Sequence, residues 1–495
     1  MDFQLTNFCE IDPYATMSYC RIHHVDPSLN LGDITKTDPS CIQDFNLLVG
    51  GSPCTDFSCA GKQSGAIYEC NDCGHTYNPL EQHYTKREEC PKCHGKNLKN
   101  TQSSLIVYYL KFLREKRPKF AIYENVKNLC NATFSPVFHL FLEEVKEYGY
   151  ETHFQVLNAK DYGIPQNRER IIAVFIRNDI AHGYEYPQKQ DLYLTVADLL
   201  DSKVDSSYYL PQEKTKELLI PLIKQKKLPP LYIEKKEEIK HVLCGASRGR
   251  TNKITGKNQQ KLEINFSNNT NTITSVQKDN YLIEVYQNEK SDLFLEKFQY
   301  DELGVLPKDL SHIPLFSSLE FAYEIRKLTP KECLRLMGFS DETYKRIQEI
   351  SGGKRNPVSK TQIYKQAGNS IVVDVLYWVF QSLRTQYPSE FQNLKVCSLF
   401  SGIGAFEQAL SLLDHEDHLV SKQFQNFQKP IKKELIFLVG IETGRRLNDE
   451  KSYSRNYRTG YRVYDSEGCG ICITANGGGL GGPSGLYITR RKDEL

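Results

Sequence analysis

Residues 394–413 read LKVCSLFSGIGAFEQALSLL, and this stretch decides the fold class. The apolar run at 394–399 predicts a buried strand, and the residues from 405 onward have the apolar spacing of a helix. Gly402 and Gly404 lie between the two, where a tight turn and close approach of a ligand favour residues without a side chain. The pattern predicts the opening strand, turn and helix of a nucleotide-binding α/β domain, although it lies near the end of a 495-residue chain.

The composition is that of an ordinary soluble globular protein of two to four domains, with 39% hydrophobic and 25% charged residues. No apolar run approaches the ~20 residues that cross a bilayer, and the chain does not begin with a signal-sequence pattern. We therefore expect no membrane partner and a cytoplasmic location. A net charge of +2 neither indicates nor excludes a nucleic-acid partner. Fifteen cysteines in such a chain favour free thiols and metal ligands over disulfides.

Two further strands are predicted to end in chemically active residues. The apolar run at 45–49 is followed by Cys54, and the run at 120–123 is followed by Glu124. Because the carboxyl ends of parallel strands form the ligand crevice of an α/β sheet, Cys54 and Glu124 are expected to meet there. Arg168 and Arg170 precede a third strand, which would bring them to the same edge if that strand is antiparallel.

Six short motifs together resemble those of the DNA (cytosine-5)-methyltransferases. They are GGSPCTDFS, ENV, DYGIPQNRERI, RKLTPKECLRLMGF, QAGNS and LFSGIGAF, and they fall mostly within residues 1–185 and 326–411. The resemblance implies an α/β doubly wound, mostly parallel sheet of the S-adenosylmethionine-dependent methyltransferase type. It also implies a smaller mixed target-recognition domain and a site-specific activity on double-stranded DNA.

The resemblance assigns a role to each residue of the predicted crevice. Cys54 is the expected nucleophile, which as a thiolate adds to C6 of cytosine and activates C5 toward a methyl group. Glu124 holds the base edge and supplies a proton at N3, which requires hydrogen-bond reach. Arg170 reaches O2 of the base and Arg168 supports the site. The target cytosine must leave the duplex stack for this chemistry to occur.

The position of the glycine segment indicates a circular permutation. In the family this segment comes first, and an acidic residue for the ribose hydroxyls follows it by ~20 residues. If Leu413 were joined to Met1, Glu10 would follow Gly404 by 19 residues. The residues that the resemblance implies would contact S-adenosylmethionine are Phe400, Ser401, Gly402, Ile403, Gly404, Glu10, Ile11, Asp33, Ile34, Pro53, Leu105, Asn369 and Ser370.

Residues 68–96 carry two Cys-x2-Cys pairs, Cys70 with Cys73 and Cys90 with Cys93, separated by 16 residues. This spacing is typical of a four-thiolate zinc ribbon. So short a segment has too few apolar residues for a core, so one structural Zn²⁺ per chain is expected to stabilise it. Arg87 and the lysines nearby are equally consistent with a surface that contacts DNA phosphates and with a basic surface that contacts only solvent.

The domain boundaries follow from the order of the motifs. They are a first catalytic part at 1–185 that contains the zinc ribbon at 68–96, a target-recognition domain at 186–325, a second catalytic part at 326–413, and a tail at 414–495. The tail resembles the end of a second recognition domain, and it is either a working reader or a relic of the duplication from which permutations arise.

Three functions remain open at this stage. A monomeric DNA methyltransferase, serving restriction-modification with a cognate endonuclease or protecting a phage, is the first. The same chemistry serves cytosine in tRNA, although the long 186–325 region favours duplex DNA. A non-catalytic DNA-binding relative is the third, but Cys54 and Glu124 are both present.

Overall fold

The computed structural model describes residues 3–53, 57, 65–225, 227–228, 232–233, 239–251, 258–265, 269–286, 320–349, 358–415, 419–420 and 422. Helices separate most of the strands of the six-stranded central sheet along the chain, so the predicted α/β class is confirmed. The strands are β1 (Phe3–Cys9), β2 (Leu47–Gly50), β3 (Tyr68–Cys70), β4 (Thr76–Tyr77), β5 (Leu98–Asn100), β6 (Phe120–Val126), β7 (Tyr150–Asn158), β8 (Gln166–Asn167), β9 (Glu169–Arg177), β10 (Tyr232–Ile233), β11 (Ile239–Thr251), β12 (Asn258–Asn265), β13 (Thr270–Asn271), β14 (Tyr281–Tyr286), β15 (Glu320–Phe321), β16 (Tyr323–Lys327) and β17 (Leu394–Leu399). The helices are α1 (Pro13–His23), α2 (Ile106–Lys116), α3 (Ser135–Glu147), α4 (Gln212–Lys224), α5 (Pro330–Arg335), α6 (Asp341–Gln348), α7 (Lys360–Asn369), α8 (Val373–Gln386) and α9 (Ala405–Ser411).

The central sheet has six strands in the order β1, β17, β2, β6, β9 and β7. The first four run parallel, and β9 is antiparallel to both of its neighbours. The last strand of the described residues, β17, therefore lies between β1 and β2, the first two strands described. The sheet is therefore mixed. The strand that contains Arg170 and follows Arg168, β9, is antiparallel, as the sequence predicted.

Helices cover both faces of this sheet. Side chains on β2 alternate, so that Leu47 and Val49 join one apolar cluster while Leu48 joins another. The first cluster is packed under α1, α8 and α9, and the second under α2 and α3. Both faces of the inner strands are thus covered, which explains why β2 and β9 read as nearly continuous apolar runs.

A second sheet, in the order β12, β11, β14 and β16, is antiparallel and packs against α4. Arg326 of β16 joins it to the catalytic part, because its Nε lies 2.6 Å from Oε1 of Glu284 on β14. The Nη1 of Arg326 lies 2.8 Å from Oε2 of Glu332 on α5. All three side chains are buried, so this ion-paired cluster sets the orientation of the second sheet relative to α5.

The core continues past the predicted boundary at Leu413. Leu419 and Val420 are buried in the same cluster as α8 and α9. Most of the tail, and Cys54 with it, lie outside the described residues. Within the described part of the chain, no helix combines the length and the apolar content that a membrane span requires.

Candidate active site

The predicted crevice is formed at one edge of the central sheet. The carboxyl ends of β17, β2 and β6 meet there with the start of β9, where Val126 pairs with Arg170. The antiparallel direction of β9 therefore delivers Arg170 to the strand end that carries Glu124. Residues distant in sequence become neighbours because the strand order, and not the chain order, decides which loops meet.

Glu124 and Arg170 form a shielded ion pair. Nε of Arg170 lies 3.0 Å from Oε1 of Glu124, and the two side chains are only 18% and 12% exposed respectively. Burial raises the pKa of Glu124 above its ordinary value, while the charges of Arg170 and Arg168 oppose that shift. The pair therefore combines a carboxyl group that holds its proton more readily than usual with a fixed cation beside it.

The end of β2 lies directly against Glu124. A Cβ atom at Gly51 would lie 2.7 Å from the carbonyl oxygen of Glu124 and 2.9 Å from its Oε2, so only glycine fits. Asn125 then ties the two strand ends together, donating from Nδ2 to the carbonyl of Ser52 over 3.2 Å. This contact holds the segment that leads to Cys54 next to the carboxylate.

Arg168 has a different set of contacts from Arg170. Its guanidinium is buried and donates to three carbonyl oxygens, those of Ile273 at 2.9 Å, Gly368 at 3.1 Å and Ser370 at 2.6 Å. These carbonyls belong to the turn after β13 and to the end of α7. Arg168 thus links these two backbone segments, and its charge acts on Glu124 from that position.

The glycine turn and the end of β1 form one cradle. The N–H of Gly402 donates to Oε2 of Glu10 over 2.9 Å, and the N–H of Asp12 donates to Oε1 over 2.8 Å. Gly402 and Gly404 have φ of 57° and 81°, in the left-handed region that favours glycine. A Cβ at Gly402 would meet no atom within 4 Å, so the space above this turn is open.

Apolar surface flanks the same space. Ile11 is 71% exposed at the end of β1, which is unusual for a residue next to a buried strand. Phe400 adopts φ of 55°, and its ring is half-buried against the α2 side of the core. An open glycine turn, an acidic residue and exposed apolar side chains fit the ribose and adenine of S-adenosylmethionine.

The other predicted cofactor residues divide into two groups. Ser401, Ile403, Ile34 and Ser370 are buried, so only their backbone atoms or small polar groups can face a ligand. Asp33 accepts hydrogen bonds from N and Oγ1 of Thr35, at 3.0 and 2.8 Å, which hold its pKa below the ordinary value. Pro53, Leu105 and Asn369 are half-buried or exposed.

His23 supports the glycine turn, a role that the sequence pattern did not indicate. Its Nε2 lies 3.0 Å from the carbonyl oxygen of Ile403, and a Cβ at Gly404 would lie 2.1 Å from the same nitrogen. Burial lowers the pKa of His23 to about 4, so the neutral ring donates to the carbonyl. No local signal marks this histidine, because its contact depends on how α1 packs against the turn.

The four cysteines of residues 68–96 converge on one point. Their sulfur atoms all lie within 4.8 Å of one another, with Cys70 to Cys93 at 3.5 Å and Cys73 to Cys90 at 3.7 Å. Four sulfurs bound tetrahedrally to zinc at ~2.3 Å would be about 3.8 Å apart. The set therefore fits a Zn²⁺ ion.

The cysteine-bearing insert is anchored to the catalytic part. The structure extends it to Asn100, because β5 pairs with β3 in the small sheet β4, β3 and β5. Arg87 pairs with Glu144 of α3 at 2.7 Å, with both side chains buried. Arg87 is thus committed to an internal ion pair. Arg87 therefore does not form part of a phosphate-contacting surface. Its position among basic residues in the sequence had left that role open.

Comparison with known proteins gives the family. The sequence model described as C-5 cytosine-specific DNA methylase matches residues 1–71 and 93–385. The orphan methyltransferase M.SPBetaI of Bacillus phage SPbeta is 32% identical, over 78% of this chain and 93% of its own. The type II methyltransferase M.HhaI of Haemophilus parahaemolyticus is 28% identical, over 70% of this chain and 78% of its own.

Among solved structures, a Spodoptera frugiperda DNMT2 mutant is similar over 79% of this chain and 93% of its own, with 15% identity and a TM-score of 0.44. The family match spans well over half of the chain, and a relative above 30% identity covers most of it. The chain therefore belongs to the C-5 cytosine-specific DNA methylases, a family of S-adenosylmethionine-dependent enzymes that act on double-stranded DNA.

Proposed function

We propose that the chain methylates C5 of a flipped-out cytosine in duplex DNA through a covalent bond between Cys54 and C6. The observation that carries the proposal is the pair of Glu124 and Arg170, 3.0 Å apart at the strand ends beside the segment that leads to Cys54. One acid and one cation, held rigidly and shielded from water, match the N3 and O2 edge of the base.

Each group has a defined part in the reaction. The Cys54 thiolate adds to C6, while Glu124 donates a proton to N3, so that the electron pair released from the C5–C6 bond becomes available at C5. Arg170 holds O2. S-adenosylmethionine supplies the methyl group as a sulfonium. Loss of the C5 proton to a base then expels the Cys54 sulfur from C6, and return of the N3 proton to Glu124 restores the neutral aromatic ring.

The electrostatics of Glu124 support its proton-donating role. Its burial raises the carboxyl pKa, which keeps a larger fraction protonated near neutral pH than for an exposed glutamate. The base reaches this carboxyl only after leaving the stack, at a cost of about a few kcal/mol.

A trapping experiment tests the mechanism. Fluorine at C5 cannot leave as a proton, so a duplex with 5-fluorocytosine at the target should form a denaturation-resistant complex in the presence of cofactor. Cys54→Ala should abolish the complex, whereas Cys41→Ala, at an exposed cysteine, should not. The mechanism is contradicted if active protein forms no such complex, or if Cys54→Ala still transfers methyl groups. Transfer of the labelled methyl group to tRNA instead of DNA would contradict the assignment of duplex DNA as the substrate.

We further propose that the chain is circularly permuted, with its termini between the first helix and second strand of the family order. Three observations support this: β17 pairs between β1 and β2, Gly402 contacts Glu10, and the family match begins at residue 1 and ends at 385, before β17. Surface connections between a helix and a strand are where such cuts are tolerated best.

The cysteine insert is proposed to hold one structural zinc. The sulfur positions fit, and residues 72–92, which lie between the family-matched segments, contain two of the four cysteines. The region 186–325 is proposed to recognise the DNA sequence, with the β11 and β12 hairpin as its base-contacting or phosphate-contacting part. Restriction-modification with a cognate endonuclease, or protection of a phage genome, is the proposed setting for a monomeric enzyme.

A further inference from the structure

We propose that Ser103 and Asn128 are positioning residues that hold the backbone on either side of Cys54. The inference rests on the proposed function, because it concerns the reactivity of the same nucleophile. Pro53 precedes Cys54 directly, and Phe57 follows it by three residues. Both of these neighbours accept a hydrogen bond on their carbonyl oxygen from a side chain distant in sequence.

Ser103 holds the side before the nucleophile. Its hydroxyl donates to the carbonyl of Pro53 over 3.3 Å, and its side chain is fully buried. Ser103 lies in a short 3₁₀ turn, Gln102–Leu105, that leads directly into α2. Because α2 packs on the central sheet, the hydroxyl is fixed by the core.

Asn128 holds the side after the nucleophile. Its Nδ2 donates to the carbonyl of Phe57, and its own Oδ1 accepts from Nδ2 of Asn131. Oδ1 of Asn131 in turn accepts from the N–H groups of Thr133 and Phe134, each at 3.0 Å. The amide that reaches Phe57 is therefore oriented by a chain of hydrogen bonds.

Aromatic packing adds to the same anchor. The Phe57 ring is fully buried and meets the Phe134 ring edge to face, with centroids 5.3 Å apart. Phe134 also lies close to Gly65, where a Cβ would be 3.5 Å from its ring. Thr101, at the end of the cysteine insert, donates to the carbonyl of Gly65 over 3.0 Å.

The contacts of Asn128 and Phe134 join Phe57 to the chain that follows β6, the strand that carries Glu124. Asn128 follows Glu124 by four residues, so the acid and the anchor of the Cys54 segment are parts of one rigid unit. A displacement of a reacting atom by about 1 Å can cost about 100-fold in rate, so such anchors are expected to act on the chemical step.

The test compares Ser103→Ala and Asn128→Ala with two matched controls in the full chain. Ser411→Ala removes an exposed hydroxyl that also donates to a backbone carbonyl, and Asn46→Ala removes an amide that contacts backbone at the opposite ends of the strands. Single-turnover methyl transfer, cofactor affinity, DNA affinity and the rate of 5-fluorocytosine trapping are measured for each variant.

The two test variants should lose between about tenfold and 100-fold in transfer and trapping rate, with cofactor and DNA affinities close to wild type. The controls should keep the wild-type rate. Test variants that transfer at the wild-type rate, or that lose rate only in proportion to affinity, overturn the inference.

An unfolded variant and an inactive wild type have different consequences for the inference. Should Asn128→Ala unfold in a thermal melt, Ser103→Ala, which removes a single buried oxygen, decides the question. A wild-type protein that shows no Cys54-dependent transfer overturns the proposed function, whereas an active wild type with unaffected variants overturns this inference alone.

Discussion

The N–H of Gly402 donates a hydrogen bond to Oε2 of Glu10 over 2.9 Å, although the two residues are 392 positions apart. The contact exists because β17 lies beside β1 in the sheet, with Leu399 paired to Cys9 at their carboxyl ends. A turn near one end of the described chain and an acidic residue near the other thus lie side by side and form the proposed cofactor cradle.

Glu10→Ala should weaken cofactor binding by about ten- to 100-fold, the loss expected for hydrogen bonds to a charged group. Its removal also releases the N–H groups of Gly402 and Asp12. Transfer at saturating cofactor should change much less than affinity. Isothermal titration with S-adenosylmethionine measures the loss, and Asp26→Ala, at an exposed turn aspartate, serves as the control. Unchanged affinity would place the ribose elsewhere.

Burial raises the pKa of Glu10, which gives the same contact a pH dependence. Ribose hydroxyls donate to the ionised carboxylate, so cofactor affinity should fall as pH decreases through that raised pKa. The Glu10→Ala variant should lack this dependence, as titrations across acidic and neutral buffers would reveal.

Glu124→Gln should lower the rate of methyl transfer by about 10²- to 10⁴-fold, the usual contribution of a positioned acid. The protonated carboxyl is the active form, so the wild-type rate should decline as pH rises above its elevated pKa. In single-turnover measurements, the residual rate of Glu124→Gln should not decrease over the same pH range.

Arg170→Met should shift the same decline to higher pH. The positive charge of Arg170 lowers the pKa of Glu124, so its removal raises that pKa further. The variant should also lose rate because O2 of the base has no partner. If the rate of Arg170→Met declines at the same pH as the wild-type rate, the group that titrates is not Glu124.

Changing Cys70 and Cys73 together to Ser should eliminate one bound zinc per chain. Two thiolates of the four-sulfur set would be lost, and the insert has little apolar core to replace them. Because Thr101 connects the end of the insert to Gly65, the transfer rate should fall more than cofactor affinity. Metal analysis of chelator-free protein measures the zinc, with Cys41→Ser as the control. No zinc in the wild type would refute the site.

Deletion of residues 423–495 should leave cofactor binding intact. The cut is placed after Lys422 because Leu419 and Val420 are buried beside α8 and α9, and their loss would open the core. Bisulfite sequencing of DNA methylated by the truncated protein separates the two readings of the tail. A second reader would lose one of two methylation sites, and a relic would lose none. Loss of cofactor binding would contradict the permutation.

The sequence alone predicted the α/β fold class, which the structure confirms, and it proposed the crevice residues and the four cysteines of the metal site. Buried strands, glycine turns and Cys-x2-Cys pairs are local patterns, so Glu124, Arg170, the glycine turn and the four cysteines could be identified without coordinates. The 19-residue spacing from Gly404 to Glu10 across the joined ends also indicated that the glycine turn and Glu10 belong together, whereas the position of β17 between β1 and β2 is known only from the structure.

Only the tertiary structure decided which side chains support those groups. His23 contacts Ile403 because α1 packs on the glycine turn, and Arg168 contacts three carbonyls that come together from separate segments. Arg87 belongs to a buried pair and not to a basic surface, since α3 places Glu144 opposite it. Such contacts depend on the packing of segments that are distant in sequence, and no periodicity or spacing along the chain encodes them.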